Sequence, residues 1–164
     1  MKTVYLVRHA KSSWDYPELT DHDRPLNKRG KRDAPEMGRR LKEKGILPDL
    51  MISSTALRAM TTCEIIAGAI GYPNDKIIGD RNVFHAGTQK LLQIIKNVTD
   101  SSRSLMLFGH NPGFTDFANR LANTDIWNIP TCGVFACEFD LSHWHEVEFQ
   151  SGNLLFYDYP KKKI

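Results

Sequence analysis

YLVRHAKSSW, Tyr5 to Trp14, is the stretch on which the reading of this chain turns. Val4 to Val7 form a run of large apolar residues that stops abruptly on Arg8 and His9, two side chains that are costly to bury. An unbroken apolar run, as opposed to an alternating one, marks a strand covered on both faces, as in a parallel sheet. DLMIS (Asp49–Ser53) and SLMLFG (Ser104–Gly109) have the same texture.

Helical spacing fills the intervals between these runs. Ala34, Met37 and Leu41 recur at helical intervals after Asn27, a good N-cap, and Gly45 is a stop signal. Pro35 lies inside that pattern and predicts either a kink or a helix that starts near Asp33. Ala56, Met60, Cys63, Ala67 and Ile70 make a second apolar stripe, closed by Gly71 and Pro73. Leu91, Leu92, Ile95 and Val98 predict a third helix after Thr88. Asn111, Pro112 and Gly113 predict the opening of a fourth, with Asn as cap and Pro at the first helical position. Beyond Ile129, GVFACEFD, HEVEFQ and LLFYDY are short β-rich runs separated by turn residues, and they predict a closing antiparallel segment. The expected fold is a three-layer α/β/α sandwich on a mostly parallel mixed sheet.

With 164 residues, 41% hydrophobic and 25% charged, the chain fits one globular domain, residues 1–164, with enough length for a real core. The net charge of +3 lacks the density of a dedicated nucleic-acid binder. Lys161, Lys162 and Lys163 read as a solvated tail. Cys63, Cys132 and Cys137 form no C-x-x-C pair, so a reducing, cytoplasmic compartment is the default. The apolar stretch at the N-terminus is too short for a signal peptide or a membrane span, and no membrane association is expected.

In parallel sheets ligands collect beyond the carboxyl ends of the strands. The first run ends on Arg8 and His9, and the third on Gly109, His110 and Asn111. The second leads through Ser53, Ser54 and Thr55 into a helix whose first turn carries Arg58. A cation there faces the positive end of the helix dipole, which disfavours it by roughly 0.3–1 kcal/mol unless an anion is near. A surface carboxylate could be that anion. With Arg8 close by, phosphate held between a helix N-terminus and two guanidinium forks fits better. A histidine among arginines stays neutral and can attack phosphorus in line, giving a covalent phosphohistidine with no metal required. His143 and His145, which would share one face of a late strand, are a thin basis for a metal site, and His22 carries no signal.

LVRHAKSSW resembles the R-H-G signature of the histidine phosphatase, or phosphoglycerate mutase-like, superfamily. SSTALRAMTT is similar to its second-arginine motif, FGHNPG to its second-histidine motif, and PLNKRG (Pro25–Gly30) to the L-T-x-x-G segment before the first long helix. Short length and the RHAKSSW wording resemble most the small phosphohistidine phosphatase branch. The resemblance implies His9 as nucleophile, Arg8 and Arg58 as phosphate clamp, His110 as a further phosphate contact, and Ser12 near the phosphate. Ala10 stands where the family has glycine, which requires a negative φ. Asp15 falls where mutases carry an asparagine beside the phosphate, and its charge speaks against a mutase. Where the family places a glutamate general acid, DRNVFHAG offers His85, with Asp80 further off. A site without a carboxylic acid suits phosphohistidine, whose imidazole leaves with little help. The expected activity is therefore removal of phosphate from phosphohistidine in a protein, without cofactor. The alternatives are a small phosphomonoester as substrate, then mutase activity, or a noncatalytic phosphate-binding module.

Overall fold

The computed structural model describes residues 1–163. Its elements are β1 (Lys2–Arg8), α1 (Lys28–Glu43), β2 (Leu50–Ser53), α2 (Leu57–Ile70), β3 (Ile78–Gly79), α3 (Thr88–Lys96), β4 (Ser104–Gly109), α4 (Gly113–Ala122), β5 (Val134–Phe139) and β6 (Asn153–Asp158). The strands form one sheet in the order β3-β2-β4-β1-β5-β6. The first four are parallel; β5 pairs antiparallel with β1, and β6 pairs antiparallel with β5 at the sheet edge. The mixed sheet, with helices on both faces, matches the expected phosphoglycerate mutase-like architecture.

The reason for the unbroken apolar runs is now visible. On one face of the sheet Val4, Leu6, Leu105 and Leu107 pack with Leu91 and Ile95 of α3 and Phe117 and Leu121 of α4. On the other, Val7, Met51, Met106 and Phe108 pack with Ala34, Met37 and Leu41 of α1 and Cys63, Ile66 and Ala67 of α2. Successive strand residues alternate between two dry layers, so polar positions vanish until the strand ends. At Gly38 a Cβ would come within 2.7 Å of the Ala69 Cβ, which shows how closely α1 and α2 approach.

Four local expectations change. α1 starts at Lys28, not near Asp33: Asn27 Oδ1 accepts from the Gly30 amide at 2.9 Å, and Pro35 lies inside the helix. The cap and the buried stripe around Ala34, Met37 and Leu41 outweigh the missing Pro35 donor. α4 starts at Gly113, with Pro112 in the capping position. Asn111 acts from one place further out, where its Oδ1 accepts from the Thr115 amide at 3.1 Å. Val98 is buried but lies past the end of α3.

HEVEFQ makes no strand. A 3-10 turn at Trp144–Glu146 takes in its first two residues, His145 and Glu146, and Trp144, directly before it, is wholly buried. The Trp144 indole N–H donates to the Ser102 carbonyl at 2.7 Å and its amide to Asp100 at 2.9 Å, so side-chain anchoring replaces a strand ladder. His143 and His145 accordingly share no strand face, and His143 Nδ1 lies 2.9 Å from Asp100 Oδ2. Among the described residues no helix is long and apolar enough to cross a membrane.

Candidate active site

β1 and β4 are neighbours in register, with Arg8 opposite Gly109, so the residues that follow, His9 and His110, emerge side by side with ring centroids 5.2 Å apart. The His9 amide donates to the Gly109 carbonyl at 3.0 Å. β2 delivers Ser54, whose Oγ lies 2.8 Å from His110 Nε2, and the first turn of α2 delivers Arg58. The rim predicted from three strand ends is therefore assembled. Arg8, His9, Ser12, Arg58, His85 and His110 line one cavity of about 290 Å³.

Backbone contacts hold His9 in place. The Cys132 amide donates to both the Arg8 and His9 carbonyls at 3.0 Å, and the Ala10 amide donates to Thr62 Oγ1 at 3.0 Å. Ala10 is buried without a positive φ, so it stands where the family has glycine without strain. His9 Nδ1 lies 2.7 Å from the Ala10 carbonyl, which can only accept. Nδ1 must carry the proton, and Nε2 keeps the lone pair.

Burial pushes the His9 imidazole down to about 3, with Arg58, Arg8 and Arg24 adding to the effect against the Ala10 hydrogen bond. Burial, His9, Arg58 and His85 push His110 down to about 2. Both are neutral near pH 7. Arg8 Nη1 donates to the Ile129 carbonyl at 2.8 Å. Arg8 Nε, Arg58 Nε and His110 Nδ1 are buried and have no hydrogen-bond partner among the described residues.

The depressed histidines tie stability to pH. The unfolded chain takes up protons on both as pH falls through 6.5, while the folded chain takes up none until about 3. Stability therefore rises with pH across that window and is lost on acidification, by up to roughly 1.4 kcal/mol per pH unit for each histidine. Denaturant midpoints measured across the window should rise with pH in the wild type and rise less steeply in His110→Gln. Equal slopes would contradict a neutral buried His110.

Two site residues were missed in the sequence. Arg24 is buried, donates to Ser12 Oγ at 2.8 Å and to the Ser13 carbonyl at 3.1 Å, and its guanidinium carbon lies 3.5 Å from the Trp14 ring centroid. Asp21 accepts from Arg24 Nε at 2.9 Å and Arg58 Nη2 at 3.2 Å, and its Oδ2 lies 3.4 Å from His85 Nε2. Burial works to raise the Asp21 carboxyl, but hydrogen bonds and charge from Arg24 and Arg58 outweigh it and hold the group below the usual range. The anion near Arg58 that the helix dipole called for is thus partly supplied from within the chain. Arg24 sits directly before PLNKRG, and an arginine between two aspartates and a proline was the available signal.

Other candidates fall outside. Asp80 accepts from the Asn82 amide at 2.8 Å and lines a separate cavity of about 550 Å³ beside α3, so it is not brought to the site. Asp15 is exposed and does not line the cavity, and so gives no repulsion there. His22 Nε2 lies 2.9 Å from Thr55 Oγ1, and its ring meets Phe84 edge-on. His85 is an exposed residue at the rim, in the left-handed region at φ 59°.

A buried neutral imidazole among three arginines at the carboxyl end of a mixed sheet is a site for phosphoryl transfer. The chain belongs to the histidine phosphatase superfamily: residues 4–80 match its branch 1, and an uncharacterised chloroplastic protein of Arabidopsis thaliana is 31% identical over 159 residues, 92% of this chain and 72% of that one. Within the superfamily it falls with the small SixA-like branch. The crystal structure of the "putative phosphohistidine phosphatase SixA" from Agrobacterium tumefaciens superposes with a TM-score of 0.83 at 27% identity, over 97% of this chain and 98% of that one. A 2,3-bisphosphoglycerate-dependent phosphoglycerate mutase of Mesorhizobium japonicum is 34% identical over only 82 residues, 49% of this chain and 40% of the mutase.

Proposed function

We propose that the protein is a metal-independent phosphatase that works through a phosphohistidine on His9, and that its substrate is phosphohistidine in another protein. The observation that carries this reading is the 2.7 Å contact from His9 Nδ1 to the Ala10 carbonyl, which leaves Nε2 as an unprotonated nucleophile beside Arg8, Arg24 and Arg58. The Nε2 lone pair attacks phosphorus, the bond to the leaving group breaks, and the leaving group takes up a proton. Water then attacks the phosphorylated His9, releasing inorganic phosphate and restoring the imidazole. Arg8, Arg24, Arg58 and His110 hold the phosphoryl oxygens, and Ser12 holds Arg24 in place.

The substrate follows from the proton donor. Asp21 is held as a carboxylate by Arg24 and Arg58 and is a poor acid, which disfavours alkoxide leaving groups. An imidazole leaves more readily. One observation favours a small phosphomonoester instead: His85 at the rim, 3.4 Å from Asp21, is placed to give up a proton. A turnover assay in EDTA, comparing a phosphohistidine peptide with p-nitrophenyl phosphate, separates the two. Strong preference for the peptide is expected. Equal or better turnover of the ester would overturn the substrate assignment, and loss of activity in EDTA would overturn the metal-independent one.

A further inference from the structure

A second cavity of about 200 Å³ adjoins the first, sharing His85, His110 and Asn111 with it, and its remaining wall includes Gly87, Gly113 and Asp116. It lies between the starts of α3 and α4. A Cβ on Gly113 would come within 2.3 Å of the Ala86 carbonyl oxygen, so the two segments meet at a distance that only glycine permits. A Cβ on Gly87 would meet nothing within 4 Å, which leaves that wall open.

The two cavities differ in charge. Arg8, Lys11, Arg24 and Arg58 dominate the first, against Asp21. The second contains no lysine or arginine, and Asp116 is its one carboxylate. Asp116 is exposed in the first turn of α4, where it already supplies the negative charge that a helix N-terminus attracts. An anion arriving there meets a carboxylate instead of a bare positive helix end.

We propose that this second cavity is the leaving-group subsite, that it accepts uncharged or cationic groups such as an imidazole, and that Asp116 excludes anionic ones. The proposal rests on His9 being the nucleophile, because only then does the leaving group lie beyond the arginine-lined cavity. Asp116 acts as a selector by charge, so its effect belongs in the ratio between two substrates, a quantity independent of how much of a variant is correctly folded.

Phenyl phosphate and 4-carboxyphenyl phosphate differ by one charge on the leaving group and serve as the probes. The wild type should favour phenyl phosphate in kcat/KM. Asp116→Asn should lower that ratio about fivefold, and Asp116→Lys should lower it further. An unchanged ratio in both variants, with His9→Ala inactive on both esters, overturns the subsite and leaves the nucleophile in place. Turnover of both esters by His9→Ala at the wild-type rate overturns the nucleophile and the subsite with it.

Discussion

His9→Ala should abolish turnover, with kcat reduced about 10⁴-fold or more, because on the proposed mechanism the step that splits hydrolysis in two is lost and no other imidazole among the described residues is positioned to replace it. His110 is neutral as well, but its Nε2 is engaged with Ser54, which leaves Nδ1, without a partner among the described residues, to contact a phosphoryl oxygen on the proposed mechanism. Binding of inorganic phosphate should survive, since Arg8, Arg24 and Arg58 remain. Turnover measured alongside phosphate titration checks this. A wild type that binds phosphate with the same affinity as His9→Ala, with no activity in either, would mark a noncatalytic phosphate-binding module. A second readout is covalent: wild type quenched during turnover should carry acid-labile phosphate, and His9→Ala should carry none.

Arg58→Ala should lower kcat/KM by about 10²–10³-fold. Arg58 is almost fully buried and contributes to holding the His9 imidazole neutral, so on the proposed mechanism its loss removes a clamp on the transition state and part of the field on the nucleophile. Arg58→Lys should recover little of the activity. A lysine offers a point charge, whereas the Arg58 fork bonds both the Asp21 carbonyl and the Asp21 carboxylate and keeps that loop against the cavity. Steady-state kinetics on both variants decide the matter, and full activity in Arg58→Lys would show that charge alone suffices.

Much of this site could be read before the fold was known because its residues stand where buried strands end. Val4 to Val7 and Leu105 to Phe108 have no polar position, since both faces of each strand are covered, and the first polar residues after them mark the sheet rim. Arg8, His9 and His110 were legible for that reason. Arg58 was legible because a cation in the first turn of a helix needs a partner. Such signals are local: a period, a cap, or a charge at a helix end.

Arg24 and Asp21 were not legible in this way. They come from a loop that reaches the rim through contacts distant in sequence: the Ser12 to Leu26 bridge, the Asn27 amide on the Lys11 carbonyl, and Arg58 on Asp21. Gly30 permits that approach, since a Cβ there would come within 2.2 Å of the Lys11 carbonyl oxygen. HEVEFQ shows the opposite failure. Its β-rich composition is real, but burial of the preceding Trp144 against Asp100 and Ser102 outweighs local propensity and opens the segment with a 3-10 turn in place of a strand. Asp80 and His85, near neighbours in one stretch, part to different cavities. The sequence by itself determined the sheet, its helices and the strand-end residues, because periodicity and burial act within one element. Only the tertiary structure decided the third arginine, the paired carboxylate and the charge of the adjoining cavity, because these depend on which loops close against one another.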